Sequence, residues 1–378
     1  MNTEGHEVGR MLNVDTRYIL RNEYNGVTVY SREENMYRFY EGVFIEELME
    51  TINHGRRDAV QKYMAENAHR MTKNVQSDNP FFICWLISGS CNLDCIYCFA
   101  ENKMPGRSVS SGHMDGSRDE LETAETLLKL KPMCIGLTGG EPTLNPRLRD
   151  VLRFLRSKAA TVLDTNGTTP QLRKLIPLLA ESHTTVRLTV DILDDEILGL
   201  IRPRYHGPES SSPKCGKSVE PFSQVEILKM NIRAIVEAGI PLVIHSVLTR
   251  HNIGKLEKTA ETLIGLGVKR WHFYTVNYSE KCKAFFDDIQ VSRQEACDYT
   301  DMLREKYGRD LTIICPRNDI GFRERLTLMV DCHGKFLVDT VYHGSAFIGV
   351  DPCHPKKEEI LSMMNFEGHK EGYLSNFW

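Results

Sequence analysis

The chain has 378 residues, 41% apolar and 26% charged, with a net charge of −4. That length holds one large domain plus one or two small ones. The charge gives no general case for nucleic-acid binding, and no apolar run approaches the ~20 residues a membrane span needs. Eleven cysteines without an export segment suit a reducing, cytoplasmic setting, where thiols sit in cores or bind metals.

Residues 1–68 read as a small strand–helix module. Stretches 17–24 and 27–31 flank Asn25-Gly26, a hairpin signal because both residues tolerate positive φ. Residues 36–40 form a third strand. Phe44, Leu48 and Ile52 share one face of a helix over 43–52, and 57–65 is a second helix. Two readings stay open: a peptide-docking or winged-helix-like module, or a cover for one end of the next domain. Residues 69–79 read as a linker.

From residue 80 a β/α alternation begins. Strands are predicted at 81–87, 133–137, 160–164, 185–190, 241–248 and 270–276. Helices are predicted at 118–130, 147–157, 171–180, 194–200, 223–238 and 253–266. Polar insertions lie at 102–117 and 202–220. The first strand is a continuous apolar run, as expected for a strand buried on both faces. Right-handed crossovers curl such units into an α/β barrel, here a partial (β/α)6 barrel over 80–280, with function at the strand C-terminal ends. Residues 281–378 read as a short α+β extension. Its helix, 292–307, opens with a capping box of Ser292 and Glu295. Strands follow at 311–315, 326–331, 338–341 and 346–350, with a turn at Cys332-His333-Gly334-Lys335.

The chemistry concentrates at the strand ends. After the first strand comes Cys91-Asn92-Leu93-Asp94-Cys95-Ile96-Tyr97-Cys98. A structural zinc site wants four ligands, and a ferredoxin-type cluster wants a nearby fourth Cys. The neighbouring Cys84 and Cys134 sit in apolar runs and read as core. After the second strand comes Thr138-Gly139-Gly140-Glu141-Pro142-Thr143, whose glycines let backbone approach a ligand. After the third comes Asp164-Thr165-Asn166-Gly167-Thr168, also readable as a capped turn. Thr189 and Asp191 alternate to one side of the fourth strand, with Asp191 alternatively capping the next helix. Ser246 and Leu248 end the fifth strand, and Asn252 reads as a helix cap. Trp271, Phe273 and Tyr274 on the sixth are packing residues or an adenine contact. His206, His245 and His272 stand singly and read as structural or substrate-facing.

The Cys-x3-Cys-x2-Cys spacing, followed one strand later by Gly-Gly-Glu-Pro, resembles the radical S-adenosylmethionine (SAM) superfamily. The resemblance implies one [4Fe-4S] cluster on Cys91, Cys95 and Cys98, with an open iron that binds SAM and delivers the electron that cleaves it. It implies that Tyr97 meets adenine through its backbone and that Gly139, Gly140, Glu141 and Pro142 grip the methionyl moiety. Thr165 and Asn166 would lie beside SAM, Thr189 and Asp191 would contact it, and Ser246 and Leu248 would line the ribose and adenine pocket. The tail resembles the SPASM or twitch extension of peptide-modifying members. It lacks the set of seven cysteines, offering Cys315, Cys332 and Cys353 after Cys282 and Cys297. A degenerate extension without a cluster is the expectation, with one auxiliary cluster as the alternative. Cys332 is the candidate hydrogen-atom donor or auxiliary ligand, or an ordinary thiol.

The expected function is reductive cleavage of SAM and hydrogen abstraction from a ribosomally made peptide that is then cross-linked or otherwise modified. The partners implied are that peptide and an electron donor such as flavodoxin or ferredoxin. The alternatives are an enzyme acting on a nucleotide, sugar or other small metabolite, and a SAM-binding iron–sulfur scaffold or sensor without turnover.

Overall fold

A computed structural model describes residues 6–14, 17–53, 59–100, 119–204, 223–279, 281–315, 325–340, 344–347 and 356–374. The 102–117 insertion, His206 and Cys353 lie outside them. Among the described residues no helix is long and apolar enough to cross a membrane.

The N-terminal part is an antiparallel sheet of five strands in chain order: β1 (Met11–Asn13), β2 (Tyr18–Asn22), β3 (Gly26–Ser31), β4 (Met36–Glu41) and β5 (Met71–Thr72). The three predicted strands are its centre. The stretch read as a linker supplies β5, which pairs with Phe39 and Tyr40. Alternation splits the side chains between two faces. Leu20, Val27, Val29 and Tyr40 pack under α1 (Ile45–Asn53) and α2 (Ala59–Glu66). Ile19, Tyr30, Tyr37 and Phe39 pack on Phe81, Phe82, Met133, Cys134 and Ala160, where the barrel strands begin.

The barrel runs β6 (Phe82–Ser88), α3 (Glu120–Lys129), β7 (Cys134–Gly139), α4 (Leu148–Leu155), β8 (Ala160–Thr165), α5 (Pro170–Glu181), β9 (Thr185–Thr189), α6 (Asp195–Ile201), α7 (Gln224–Glu237), β10 (Leu242–Leu248), α8 (Glu257–Gly265) and β11 (Arg270–Thr275). These are the six predicted strands, all parallel. Helix faces bury against the sheet: Leu148, Val151, Leu152 and Leu155 of α4 all point inward. Asp194 caps α6 through Ile197 N, so Asp191 is not that cap. Helix α8 begins four residues later than expected. Asn252 does not cap it; its Nδ2 donates to Asp191 O and Val247 O at 3.0 Å each, tying the ends of β9 and β10 together.

The tail does not stand apart. After α9 (Phe286–Ile289) and α10 (Arg293–Tyr307), β12 (Thr312–Ile314) joins β11 in parallel. The capping box on α10 forms as the sequence predicts. Then β13 (Leu328–Val330) pairs in parallel with β6, at the opposite edge, and carries β14 (Phe336–Thr340) and β15 (Gly344–Phe347) antiparallel. The result is one ten-stranded sheet, curled as a partial barrel with β12 and β15 at its ends.

The chain closes with α11 (Lys357–Met363) and α12 (Phe366–Leu374). Tyr373 of α12 stacks on Phe82 and meets Tyr37 and Phe81 edge-on. His369 Nε2 accepts from Phe81 N at 3.0 Å, while its Nδ1 lies 2.7 Å from Leu326 O. Arg21, fully buried, donates to Glu23 and to the carbonyls of Asn79, Pro80 and Lys131. The N-terminal sheet is thus a floor under the barrel, fastened by polar bonds and by α12.

Candidate metal centre and its surroundings

The three cysteines occupy the loop that leaves β6. Cys91 is buried, and Cys95 and Cys98 are half-buried. A strip of backbone at 201–204, just after α6, backs the loop: Ile96 N donates to Ile201 O at 3.0 Å, Asp94 N to Pro203 O at 2.7 Å, and Leu93 bridges Arg204. Cys91 Sγ accepts from Leu93 N at 3.4 Å and from Asn166 Nδ2 at 3.8 Å. Burial pushes the Cys95 thiol up to about 12; the buried Arg202 guanidinium draws it down, and Cys98 and Cys91 add to the rise. Three thiolates crowded here need a compensating positive charge, which is what a bound metal centre brings. Among the described residues no three His, Cys, Asp or Glu side chains gather as for a single metal ion. A cube spreads its three thiolates over three irons and does not require that gathering. The donor set and the amides aimed at Cys91 fit such a cube.

Gly139 and Gly140 press on the stem of this loop. A Cβ at Gly139 would stand 2.3 Å from Ser88 O, and one at Gly140 would stand 2.2 Å from Ser90 O. Gly139 also has φ +128°, which side-chain-bearing residues avoid. Gly140 N donates to Ser88 O and Glu141 N to Ser90 O, both at 2.7 Å. The glycines are therefore required first by backbone packing; both stay half-exposed on their other side.

Glu141 is fully buried and acts as a hub. Its Oε1 accepts from Thr143 N (3.1 Å), Thr143 Oγ1 (2.6 Å) and Thr165 Oγ1 (2.8 Å); its Oε2 accepts from Asn166 N (2.8 Å). Burial raises its pKa, and these bonds hold it down. Pro142 is buried behind it in a 3-10 turn. Thr165 thus faces Glu141, while Asn166 reaches the cysteine loop through Asn92 Oδ1 at 2.8 Å.

Thr189 is half-buried, and its carbonyl accepts from Arg202 Nη1 at 2.6 Å. Asp191 is fully buried: Tyr97 OH donates to its Oδ2 at 2.5 Å, and Val247 N to its Oδ1 at 2.8 Å. Burial first, then the Asp191 charge, lifts the Tyr97 phenol well above its usual value.

Two expected pocket residues face the wrong way. Ser246 Oγ donates to Val190 O and accepts from Trp271 Nε1 at 2.7 Å, and Leu248 is buried in the layer of Leu256 and Ala260. Even-numbered residues of β10 face the helices; His245 and Val247 are the ones that face the barrel interior. By the same alternation Trp271 and Phe273 pack outward, while His272 and Tyr274 face inward.

That interior holds groups the sequence reading left unassembled. Arg187 makes a two-pronged bond to Asp164, 2.5 Å on each arm, and lies over the Phe82 ring at 5.2 Å. His245 stacks on His272 with ring centres 5.6 Å apart and tilts against Tyr274 at 5.0 Å. Burial, with the Arg187 charge next, depresses His245 well below its usual value and His272 to about 3, so both rings are neutral. A Cβ at Gly136 would collide with Phe82, whose ring fills the space below. Strand parity was the available signal for all of these residues.

Cys332 sits in the β13–β14 turn, at the same end as the cysteine loop, 3.5 Å from where a Cβ on Gly89 would stand. Burial, with Asp331 next, pushes its thiol up to about 11. Of the other described tail cysteines, Cys282 also lies against the cysteine loop, and Cys297 and Cys315 lie elsewhere. Cys297 and Cys315 pack in the main core beside α10 and β12, and Cys282 is buried with Ile96 and Tyr97.

The chain matches the family model described as the Radical SAM superfamily over residues 85–263. It is 24% identical over 257 residues to the "Probable GTP 3',8-cyclase" of Methanococcus aeolicus, covering 64% of this chain and 78% of that one. It is 28% identical over 197 residues to the PqqA peptide cyclase of Ruegeria pomeroyi, covering 50% and 45%. Apart from the cyclase of M. aeolicus, the chain spans about half the length of the curated relatives it matches. The fold resembles SuiB of Streptococcus suis bound to S-adenosylmethionine, with TM-score 0.57 and 12% identity over 86% of this chain and 82% of that one. From within β6 to within α8, then, residues 85–263 match a radical SAM superfamily domain.

Proposed function

We propose that the chain is a radical SAM enzyme whose Cys91, Cys95 and Cys98 hold one [4Fe-4S] cluster, with SAM bound between it and the barrel interior. The observation that carries this is the three-thiol loop braced against Gly139-Gly140 at the strand C-terminal ends. When bound, the cluster supplies the electron that cleaves SAM to a 5′-deoxyadenosyl radical, which takes a hydrogen atom from substrate. The half-exposed backbone of Gly139 and Gly140 holds the methionyl group, and the Tyr97 backbone meets adenine. Glu141 fixes the β7 and β8 loops together, so this geometry is set before ligand arrives. The interior below, lined by Asp164, Arg187, Thr189, His245 and Tyr274, receives the substrate, and the N-terminal sheet shuts water out from beneath.

The substrate class we favour is a ribosomally made peptide. The likeness to PqqA peptide cyclase supports it, as does a fold shared with SuiB, which has been crystallised with the precursor peptide SuiA. A nucleotide is the second reading, supported by the longer match to the GTP cyclase. The electron donor would be a flavodoxin or ferredoxin.

Anaerobic reconstitution with iron and sulfide, then SAM and dithionite, is expected to give 5′-deoxyadenosine and a cube-type absorbance. The Cys91→Ala, Cys95→Ala, Cys98→Ala triple variant should lose iron, while Cys332→Ala should keep it. A cluster with no 5′-deoxyadenosine above background would favour the scaffold reading. Adding a candidate precursor peptide or GTP and measuring which one accelerates SAM cleavage separates the two substrate classes.

A further inference from the structure

We propose that Arg202 is a positioning residue that sets the reduction potential of the cluster; the inference rests on the cluster reading above. The guanidinium is fully buried. Burying a charge costs several kcal/mol unless it is well matched, and the matching here is incomplete. Nη1 donates to Thr189 O and Nη2 to Asn166 O, both at 2.6 Å and both neutral acceptors. Nε has no hydrogen-bond partner and lies 4.0 Å from Asp191 Oδ2. That carboxylate is itself taken up by Tyr97 OH and Val247 N.

The residues on either side of Arg202 are bonded to the cysteine loop through Ile201 O and Pro203 O. The charge is therefore fixed behind the loop, away from salt and water. The two bonds take up the amides of Asp94 and Ile96, on either side of Cys95, and Arg202 lies between their two acceptors in the chain. A cluster on three thiolates gains one negative charge when it accepts one electron from its donor. A fixed positive charge beside it stabilises the reduced form more than the oxidised form, raising the potential. Asp191 works in the other direction. A device of this kind would let a low-potential donor load the cluster without any contact from Arg202 to the irons.

The test uses the full chain, reconstituted anaerobically, with iron and sulfide counted and the midpoint potential read by EPR during titration with dithionite. Arg202→Met is expected to move the midpoint negative and Asp191→Asn to move it positive, with Arg202→Lys staying nearer the wild type than Arg202→Met. A role limited to stapling loops predicts lost iron without these opposite signs. Unchanged midpoints in loaded Arg202→Met and Asp191→Asn, or shifts of the same sign, overturn the inference. Should Arg202→Met fail to hold iron, Asp191→Asn decides, since it keeps both Nη bonds: a negative shift or none overturns the proposal. Wild-type protein that takes up no cluster overturns the underlying reading instead.

Discussion

Glu141 shows how much one side chain can organise. Four donors from two loops converge on a carboxylate with no solvent contact. Glu141→Ala would strand those donors in the interior. It is expected to lower stability by about 3 kcal/mol, read as a lower denaturant midpoint at unchanged slope. Glu141→Gln keeps acceptors for some of the donors and should lose less. The sequence marked Glu141 and Thr165 as neighbours of a cofactor; the fold makes them partners of each other. The side chains of Ser246 and Leu248 turn to the helix layer for a simpler reason. Position near a strand end does not set the side, and a one-residue change of parity moves a side chain from the interior to the helix layer. Arg202 left no trace because an arginine in a polar stretch looks like any solvated charge, and its bonds go to carbonyls, which carry no residue-type signature.

At the scale of elements, the barrel strands and their helices were legible because their apolar periods are strong. Short pieces were not: β1 and β5 have three and two residues and exist only as sheet edges. Helix α12 is the least expected element and one of the most consequential. His369 must carry its proton on Nδ1, facing Leu326 O, because Nε2 accepts from Phe81 N. Burial holds its pKa to about 4, against about 6.5 for the unfolded chain. Between those values the unfolded chain binds the additional proton. Stability from this group is therefore present above about pH 6.5 and is lost as pH falls to about 4, by about 3 kcal/mol in total. Denaturant midpoints measured across that range should fall for the wild type and fall less for His369→Gln. His272, held to about 3, adds a decline of the same sign.

For the whole molecule, the choice left open for the N-terminal module bears on how the protein can be cut. One face of its sheet covers the barrel floor and the other covers its own helices. Removing residues 1–68 would uncover Phe81, Phe82 and Met133 together, so the shortened chain is expected to aggregate, checked by the soluble fraction and by size-exclusion chromatography. Docking of a peptide on this module is therefore better tested by substitutions along the exposed β1 edge than by truncation. The tail illustrates what a linear reading cannot see. Its strands were expected to form a unit of their own, and they were divided between opposite borders of the barrel sheet because β12 and β13 each found an unpaired edge.

The bond between His369 and Phe81 joins positions 288 apart in the chain. A ribosome adds residues in order, so a nascent polypeptide with every barrel strand already emerged still lacks this latch. Until α12 has been synthesised, the underside is held by the N-terminal sheet's own contacts, such as the bonds of Arg21. Early arrest of translation would thus yield a vessel whose base is in place but lacks its last clasp.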